Sequence, residues 1–307
     1  MASLSSLTTS GITSFLDVNC DEEDELLPPS APLASIMAEV AVRGFEMLVS
    51  TLGAHLVDAD HPRERGRAVE LLAEVLTRSG PSLALTASGV ESTSAFFLDR
   101  ASKADDVSTG GCLQGLLALL THHEPCATAP TAALVVELVL TGGGGAFYVP
   151  SMAQMHRQRA MSILLRVLLV PRFCDAVRSR GAFFVSEFAR AMDGEKDPRC
   201  LVTCLRVARA ALRQFDDAAL RETAGTLFEV TSCYFPIMFT PPPNDPHKIT
   251  REALVELLRD VFTATERMAP HLMPLLLEKT ESTSEAVKVD AIETLAACFV
   301  DARGAAV

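Results

Sequence analysis

Apolar residues recur along this chain in sets that fit one helix face, and the sets themselves recur at a nearly constant distance. In four segments a small residue precedes apolar residues at positions i, i+3, i+4 and i+7, the spacing of a single helix face. The small residues are Ala68, Ala160, Ala253 and Ala291, and two weaker copies begin at Gly115 and Cys204. The apolar sets of the four clear copies are Val69, Leu72, Ala73 and Leu76; Met161, Leu164, Leu165 and Leu168; Leu254, Leu257, Leu258 and Val261; and Ile292, Leu295, Ala296 and Phe299.

The spacing of these sets predicts an array of helix pairs. Positions 68, 115, 160, 204, 253 and 291 lie 38 to 49 residues apart, and HEAT or armadillo repeats take roughly 40–47 residues each. A simple helical bundle has no reason to repeat at this period. The apolar content is high, but only 6% of the residues are aromatic, which favours helix packed on helix. We therefore predict an all-α fold, an α-solenoid of about six HEAT/armadillo-like helix pairs over residues 33–307.

The first 32 residues have a different composition. They are rich in Ser and Thr, and then carry the acidic run from Asp21 to Glu25 and a Pro-rich stretch. Such a segment buries little apolar surface, so we expect residues 1–32 to be disordered. They are followed by a helix that the pattern places from Leu33 to His55.

Charge and hydropathy limit the classes of function that the chain can have. The net charge of −12 and the lack of a basic run argue against direct binding of nucleic acid, which depends on neutralising phosphates. No apolar stretch reaches the roughly 20 residues that cross a membrane, so we expect no membrane contact. The eight cysteines are scattered without a disulfide pattern, which indicates the cytosol or nucleus.

Three groups of residues resemble chemical sites and do not complete one. The glycines from Gly142 to Gly145 lack the following Lys and Ser/Thr of a phosphate-binding loop. Cys200 and Cys204 share a helix face, but two thiols do not close a zinc site. The segment from His122 to Cys126 is interrupted by a proline and reads as a helix end. We therefore expect no catalytic residue, no bound metal and no cofactor, and the chain is not predicted to be an enzyme.

Two polar stretches between helices are more distinctive. The first, MDGEKDPR at 192–199, reads as a turn in which Asp197 caps the next helix and Pro198 occupies its first position. The second, TPPPNDPH at 240–247, is either a rigid spacer or a docking ledge beside aromatic residues, and the sequence leaves both open. Asp245 and Pro246 can likewise start a helix. The candidate partner-binding residues are Glu195, Lys196, Arg199, Tyr234, Phe235, Pro241, Pro242, Pro243, Asn244, Asp245 and His247.

Two long strings closely resemble one protein family. They are GAFFVSEFARAMDGEKDPRCLVTCLRVARAAL at 181–212 and FEVTSCYFPIMFTPPPNDPH at 228–247. They resemble the amino-terminal part of the large HEAT-repeat proteins named for methyl-methanesulfonate sensitivity and linked to nucleotide excision repair and transcription. Members of that family form the adaptor subunit of the cytosolic iron–sulfur cluster targeting complex.

The resemblance implies a non-catalytic scaffold that delivers clusters to apoproteins of DNA repair, replication and transcription. The implied partners are the other subunits of the targeting complex and apo iron–sulfur proteins of DNA metabolism, such as TFIIH-associated helicases and polymerase or primase components. The implied location is nucleus and cytoplasm. Members of the family are several times longer, so the chain is expected to be an amino-terminal fragment whose last helix exposes apolar surface. The alternative is a general HEAT or armadillo scaffold, such as a transport receptor or a phosphatase regulatory subunit.

Overall fold

The computed structural model describes residues 12–16, 30–103, 105–142, 147–243 and 245–304, with the side chains of 300–304 left aside. After a helical turn at 12–16, the α-helices are α1 (Ala31–Arg43), α2 (Phe45–Val57), α3 (Pro62–Ser79), α4 (Ala87–Ser102), α5 (Asp106–His122), α6 (Ala129–Thr141), α7 (Gln154–Leu169), α8 (Pro171–Arg178), α9 (Gly181–Met192), α10 (Pro198–Gln214), α11 (Asp217–Ser232), α12 (Arg251–Phe262), α13 (Ala269–Thr280) and α14 (Glu285–Gly304).

The fold is all-α, as the repeat predicted, and the described residues contain no strand. The chain divides into two compact units, with the boundary between Arg166 and Val167 inside α7. In the first unit α3 packs most extensively on α5, and α4 packs on α5 and α6. In the second unit α9 packs on α11 and α11 on α13, while α10 packs on α12 and α12 on α14. In both units several helices thus contact their next-but-one neighbour, the solenoid-like packing of HEAT helix pairs.

Glycines let α3 and α5 approach closely. A Cβ on Gly66 of α3 would stand 2.7 Å from the carbonyl oxygen of Val107, and one on Gly111 of α5 would stand 3.0 Å from the backbone nitrogen of Glu70. Backbone atoms cannot rotate away as a side chain can. The small residues on both helices therefore set the distance between them.

The repeat positions are mostly core positions. Ala68, Ala160, Cys204 and Ala291 are fully buried, and Gly115 lies beneath the ring of Phe97. Ala253 is the exception, because it is exposed while Leu254, Leu258 and Val261 of the same helix are buried. The apolar pattern of α12 was correct there, but the small residue faces solvent.

The apolar face of α14 is partly exposed. Ile292 is 55% exposed and Phe299 is 63% exposed, and Leu277 of α13 is exposed too. Among the residues of α14 up to position 299, Asp290, Ala291 and Thr294 are buried.

Helix boundaries test the local predictions. Pro198 opens α10 and the side chain of Asp197 accepts hydrogen bonds from the N–H groups of Arg199 and Cys200, so this cap is confirmed. The single helix from Leu33 to His55 is wrong, because Gly44 has φ of 88° and separates α1 from α2. A residue in that conformation cannot continue an α-helix.

The amino-terminal segment contains a feature absent from the sequence reading. Residues 12–16 lie in the stretch expected to be disordered, yet they form a helical turn with Ile12 and Phe15 buried. The rest of 1–29 lies outside the described residues. Among the helices that are described, none has the length and apolarity needed to cross a membrane.

Candidate partner-binding site

Apart from Arg199, which lies in the first turn of α10, the candidate residues lie in two loops of the second unit that leave the same ends of neighbouring helix pairs. Loop 193–197 joins α9 to α10, and loop 233–250 joins α11 to α12. Since α9 packs on α11 and α10 packs on α12, the solenoid arrangement brings the two loops side by side. We call them the paired loops.

The conformation of loop 193–197 is fixed by its own residues. Gly194 has φ of 72°, a left-handed conformation that glycine adopts without strain. One carboxylate oxygen of Glu195 accepts hydrogen bonds of 2.9 Å from the N–H groups of both Lys196 and Asp197. Gly194, Glu195 and Asp197 thus have structural roles, and Lys196 remains exposed.

Tyr234 joins the two loops. Its hydroxyl donates a hydrogen bond of 3.2 Å to the backbone carbonyl of Met192, at the end of α9. Burial raises the pKa of the Tyr234 hydroxyl well above its usual range, and the nearby thiol of Cys204 and carboxylate of Glu195 add to the rise. The hydroxyl is therefore neutral and acts as a donor.

Arg199, in the first turn of α10, pairs with the residue that caps this helix. Its guanidinium makes two hydrogen bonds to Asp197, of 3.1 and 2.8 Å. The hydrogen bond to Asp197 is the main reason that the pKa of Arg199 is raised, and the charge of Asp245 in the other loop contributes.

Loop 233–250 is anchored beneath its exposed part. The ring of Phe235 meets that of Phe262 edge-on, with centroids 6.1 Å apart, and Ile237 is buried. Arg251 donates from Nε to the carbonyl of Ile237 at 3.1 Å and pairs with Asp290 of α14. Arg251 thus contacts both loop 233–250 and α14 of the next helix pair.

The anchored loop presents an exposed strip. Pro241, Pro242 and Pro243 are exposed, as is His247. Sequence reasoning missed Met238, which is 88% exposed. The sequence did contain a signal for it, because successive side chains of an extended segment point to opposite sides. Met238 stands between Ile237, which is buried, and Phe239, which is half-buried, so its side chain points away from both. Met238 and Pro241–Pro243 form what we call the proline ledge. Asn244, another candidate, lies outside the described residues.

Asp245 closes a turn rather than starting a helix. Its carboxylate accepts hydrogen bonds of 3.1 Å from the N–H groups of His247 and Ile249, and these hold the pKa of Asp245 below its usual range. The helix α12 begins at Arg251, with the side chain of Thr250 as its cap. The prediction of a helix start at Asp245–Pro246 is therefore wrong, because the aspartate bonds a turn within the loop. A side chain also accepts from the backbone ahead of α14, where the hydroxyl oxygen of Ser282 accepts from the N–H of Ser284.

The paired loops combine polar anchoring groups with an exposed apolar strip. They present a neutral tyrosine, an arginine already paired and a rigid apolar strip. Cys200 and Cys204 are buried in the packing of α10. Among the residues that the structure describes, no three His, Cys, Asp or Glu side chains stand close enough to hold a metal ion.

Comparison with known proteins places these loops in a family context. Residues 49–307 match the amino-terminal MMS19 family, described as a Dos2-interacting transcription regulator of RNA-Pol-II. The chain is 38% identical over 251 residues to the MMS19 nucleotide excision repair protein homolog of Danio rerio, covering 82% of this chain and 23% of that protein.

Two further relatives give the same result. The MMS19 nucleotide excision repair protein homolog of Homo sapiens is 36% identical over 269 residues, 87% of this chain and 25% of its own length. That of Arabidopsis thaliana is 30% identical over 298 residues, 94% of this chain and 25% of its own length. The chain thus spans about a quarter of the length of these relatives. The family match covers most of the chain, and the relatives agree with it, so this chain belongs to the MMS19 family and corresponds to its amino-terminal part.

Proposed function

We propose that this chain is part of a non-catalytic adaptor in DNA repair and that a protein partner docks on the proline ledge. The observation that carries the proposal is the exposure of Met238 and Pro241–Pro243 on a loop that is anchored on both sides. Curated relatives carry the name nucleotide excision repair protein homolog, which supports the pathway.

The physical case for docking rests on preorganisation. Successive prolines have fixed φ angles and lose little conformational entropy when a partner binds. Tyr234 and Arg251 hold the loop from below, so a partner would meet a surface that is already ordered. Binding to such a surface loses less conformational entropy than binding to a flexible loop. A large exposed methionine beside prolines supplies apolar contact that can adapt to a partner.

The family resemblance supports a finer proposal. The cargo would be iron–sulfur clusters, delivered by a larger complex to apoproteins of DNA repair, replication and transcription. The partners of this segment would be other subunits of the targeting complex or apo iron–sulfur helicases and polymerase or primase components, in the nucleus and the cytoplasm. The chain itself would hold no cluster and bind no nucleic acid directly.

The experiment is a quantitative affinity purification from a eukaryotic extract with the full chain as bait. A second bait carries Met238→Ala with Pro241, Pro242 and Pro243 each replaced by Ala. We expect recovery of iron–sulfur proteins of DNA repair and replication to fall about tenfold, since a binding hot spot contributes roughly 1.4 kcal/mol or more. The matched control is Leu134→Ala with Val57→Ala, two exposed apolar residues of the first unit.

The control bait should recover the same proteins as the unchanged chain. If both variant baits recover fewer of these proteins to the same extent, the recovery is due to non-specific hydrophobic association and not to the proline ledge. Recovery of import cargo or phosphatase subunits in place of iron–sulfur proteins would contradict the proposed cargo and favour a general HEAT scaffold.

A further inference from the structure

The first unit carries a second surface, around Arg67, that is already occupied by a short piece of the same chain. Ile12 and Phe15 are each only 3% exposed, while Thr13 and Ser14 between them face solvent. The turn therefore presents two apolar side chains at i and i+3, the spacing with which short helices dock into grooves.

Arg67 of α3 makes two contacts with Phe15 of this turn. Its guanidinium lies 4.5 Å from the centroid of the Phe15 ring, a cation–π geometry. It also donates from Nη2 to the carbonyl oxygen of Phe15 at 3.3 Å. Glu70 accepts from the other terminal nitrogen at 2.7 Å, which holds the guanidinium in place over the ring.

The floor beneath Phe15 is formed by three helices. The ring lines a small cavity together with Arg67, Glu70 and Glu74 of α3, Gly111 and Gln114 of α5, and Arg159 of α7. Gln114 donates to Glu74 at 2.7 Å, and Arg159 donates to the carbonyl of Gly110 at 3.4 Å. Contacts between α3, α5 and α7 thus join the three helices that line this cavity, and together with Arg67 they form the groove that holds the turn.

We propose that this groove is a peptide-docking site and that residues 12–16 are its built-in occupant. The partner is a short helical turn of another protein with an aliphatic residue and an aromatic residue three positions later, the aromatic ring placed beneath Arg67. Residues 17–29 join the occupant to α1, so the bound turn competes in cis with any such partner. The site lies in the first unit and is separate from the proline ledge.

The test uses a fluorescent synthetic peptide of residues 9–19 and the full chain. In one form of the chain Ile12→Ala and Phe15→Ala empty the groove. A tethered segment acts at an effective concentration in the millimolar range, so we expect the peptide to bind the emptied chain about tenfold more tightly than the unchanged chain. Adding Arg67→Ala to the emptied chain should weaken binding about fivefold. Equal affinity for both chains, or no binding to either, overturns the proposal.

A series of peptides defines the partner. Phe15→Tyr should bind like the unchanged peptide, because a tyrosine ring also stacks under a guanidinium, and Phe15→Leu should bind several-fold more weakly. A peptide with both Ile12 and Phe15 replaced by Ala should not bind. If Phe15→Leu binds as well as the original, the aromatic preference is wrong.

A second measurement does not depend on the fold of the emptied chain. The unchanged chain carries 4-fluorophenylalanine at position 15, and its ¹⁹F resonance is followed as unlabelled peptide is added. Displacement of the built-in turn should move the resonance to the position of a solvent-exposed ring. A resonance that stays in place at saturating peptide would show that residues 12–16 are a permanent part of the core.

Discussion

Tyr234 makes the hydrogen bond that joins the paired loops. Replacing it with phenylalanine keeps the ring and removes the hydroxyl that donates to Met192 at 3.2 Å. The carbonyl then loses a partner in a half-buried place, so we expect Tyr234→Phe to lower the free energy of unfolding by about 1 kcal/mol. Urea denaturation followed by circular dichroism measures this, with Tyr148→Phe as the control because Tyr148 is 51% exposed. A loss as large in the control would rule out the loop contact as the cause.

Gly194 and Gly53 allow opposite predictions from the same substitution. Neither glycine has an atom within 4 Å of the place where a Cβ would stand, so steric overlap is excluded at both. Gly194 has φ of 72°, and an alanine there should cost about 1 kcal/mol of stability. Gly53 lies inside α2, where alanine should add about 0.5–1 kcal/mol. Thermal unfolding of Gly194→Ala and Gly53→Ala should therefore shift in opposite directions, and a shift of the same sign contradicts the prediction.

Three helices of the first unit meet at Asp105, which precedes α5. Arg65 of α3 donates to this carboxylate from two nitrogens at 2.8 and 3.0 Å, Arg100 of α4 approaches at 3.6 Å, and Ser108 donates at 2.8 Å. The side chains of Asp105 and Arg65 are 8% and 12% exposed. Such a pair contributes to stability only while both partners are present and charged.

The pH dependence of this junction follows from the pKa of Asp105. Burial alone would raise that pKa, but the hydrogen bonds from Arg65 and Ser108 outweigh burial and the pKa is lowered. The stabilisation is therefore fully present above the unfolded pKa, about 4, and is lost as pH falls through the lower folded value. Asp105→Asn should cost about 3–5 kcal/mol at pH 7, and the difference from the unchanged chain should shrink below about pH 4 in urea titrations at several pH values.

The control for the junction is Asp99→Asn. Asp99 pairs with Lys103 at 2.7 Å, but their side chains are 56% and 58% exposed. An exposed pair contributes little, so the substitution should change stability by less than about 0.5 kcal/mol at any pH. A gap between Asp105→Asn and the unchanged chain that stays constant down to pH 2 would contradict the assignment of the acid dependence to Asp105.

Individual elements show which parts of the structure could be read from the sequence. The cap at Asp197–Pro198 was predictable because the signal is local and lies in adjacent residues. The break at Gly44 was missed because apolar spacing continues across it, and a single glycine inside a helical pattern is ambiguous. The turn at Asp245 was missed because the same residues cap a turn or a helix equally well.

The candidate site was predictable in outline and not in its contacts. The two unusual loops were found because packing alone does not call for their sequences. The bond from Tyr234 to Met192 spans 42 residues, and the packing of residues 12–16 on Arg67 spans 52. No local pattern encodes contacts at that separation, because they depend on how the helix pairs stack. The repeat period predicts that stacking, but not which side chains meet.

The whole chain carries a net charge of −12, and this bears on how an adaptor in DNA repair would act. Some arginines of the second unit form ion pairs between helices, such as Arg209 with Asp260 at 2.6 Å and Arg259 with Glu293 at 2.6 Å. Their charge is balanced within the protein. A partner protein, rather than the nucleic acid, would then bring this chain to a repair site.

The net charge predicts that the chain does not bind DNA directly, and a binding assay distinguishes direct binding from recruitment by a partner protein. A labelled 20-base-pair duplex is titrated with the full chain in about 50 mM salt, the condition that most favours phosphate contacts. We expect no saturable change in fluorescence anisotropy up to about 100 μM, because the net repulsion opposes association and non-specific binders reach half-saturation at roughly 1–100 μM even at physiological salt. A basic protein in the same assay serves as the positive control. Binding that weakens steeply as salt is raised would mean that the chain has a cationic surface that contacts phosphates, and the adaptor would then reach DNA directly.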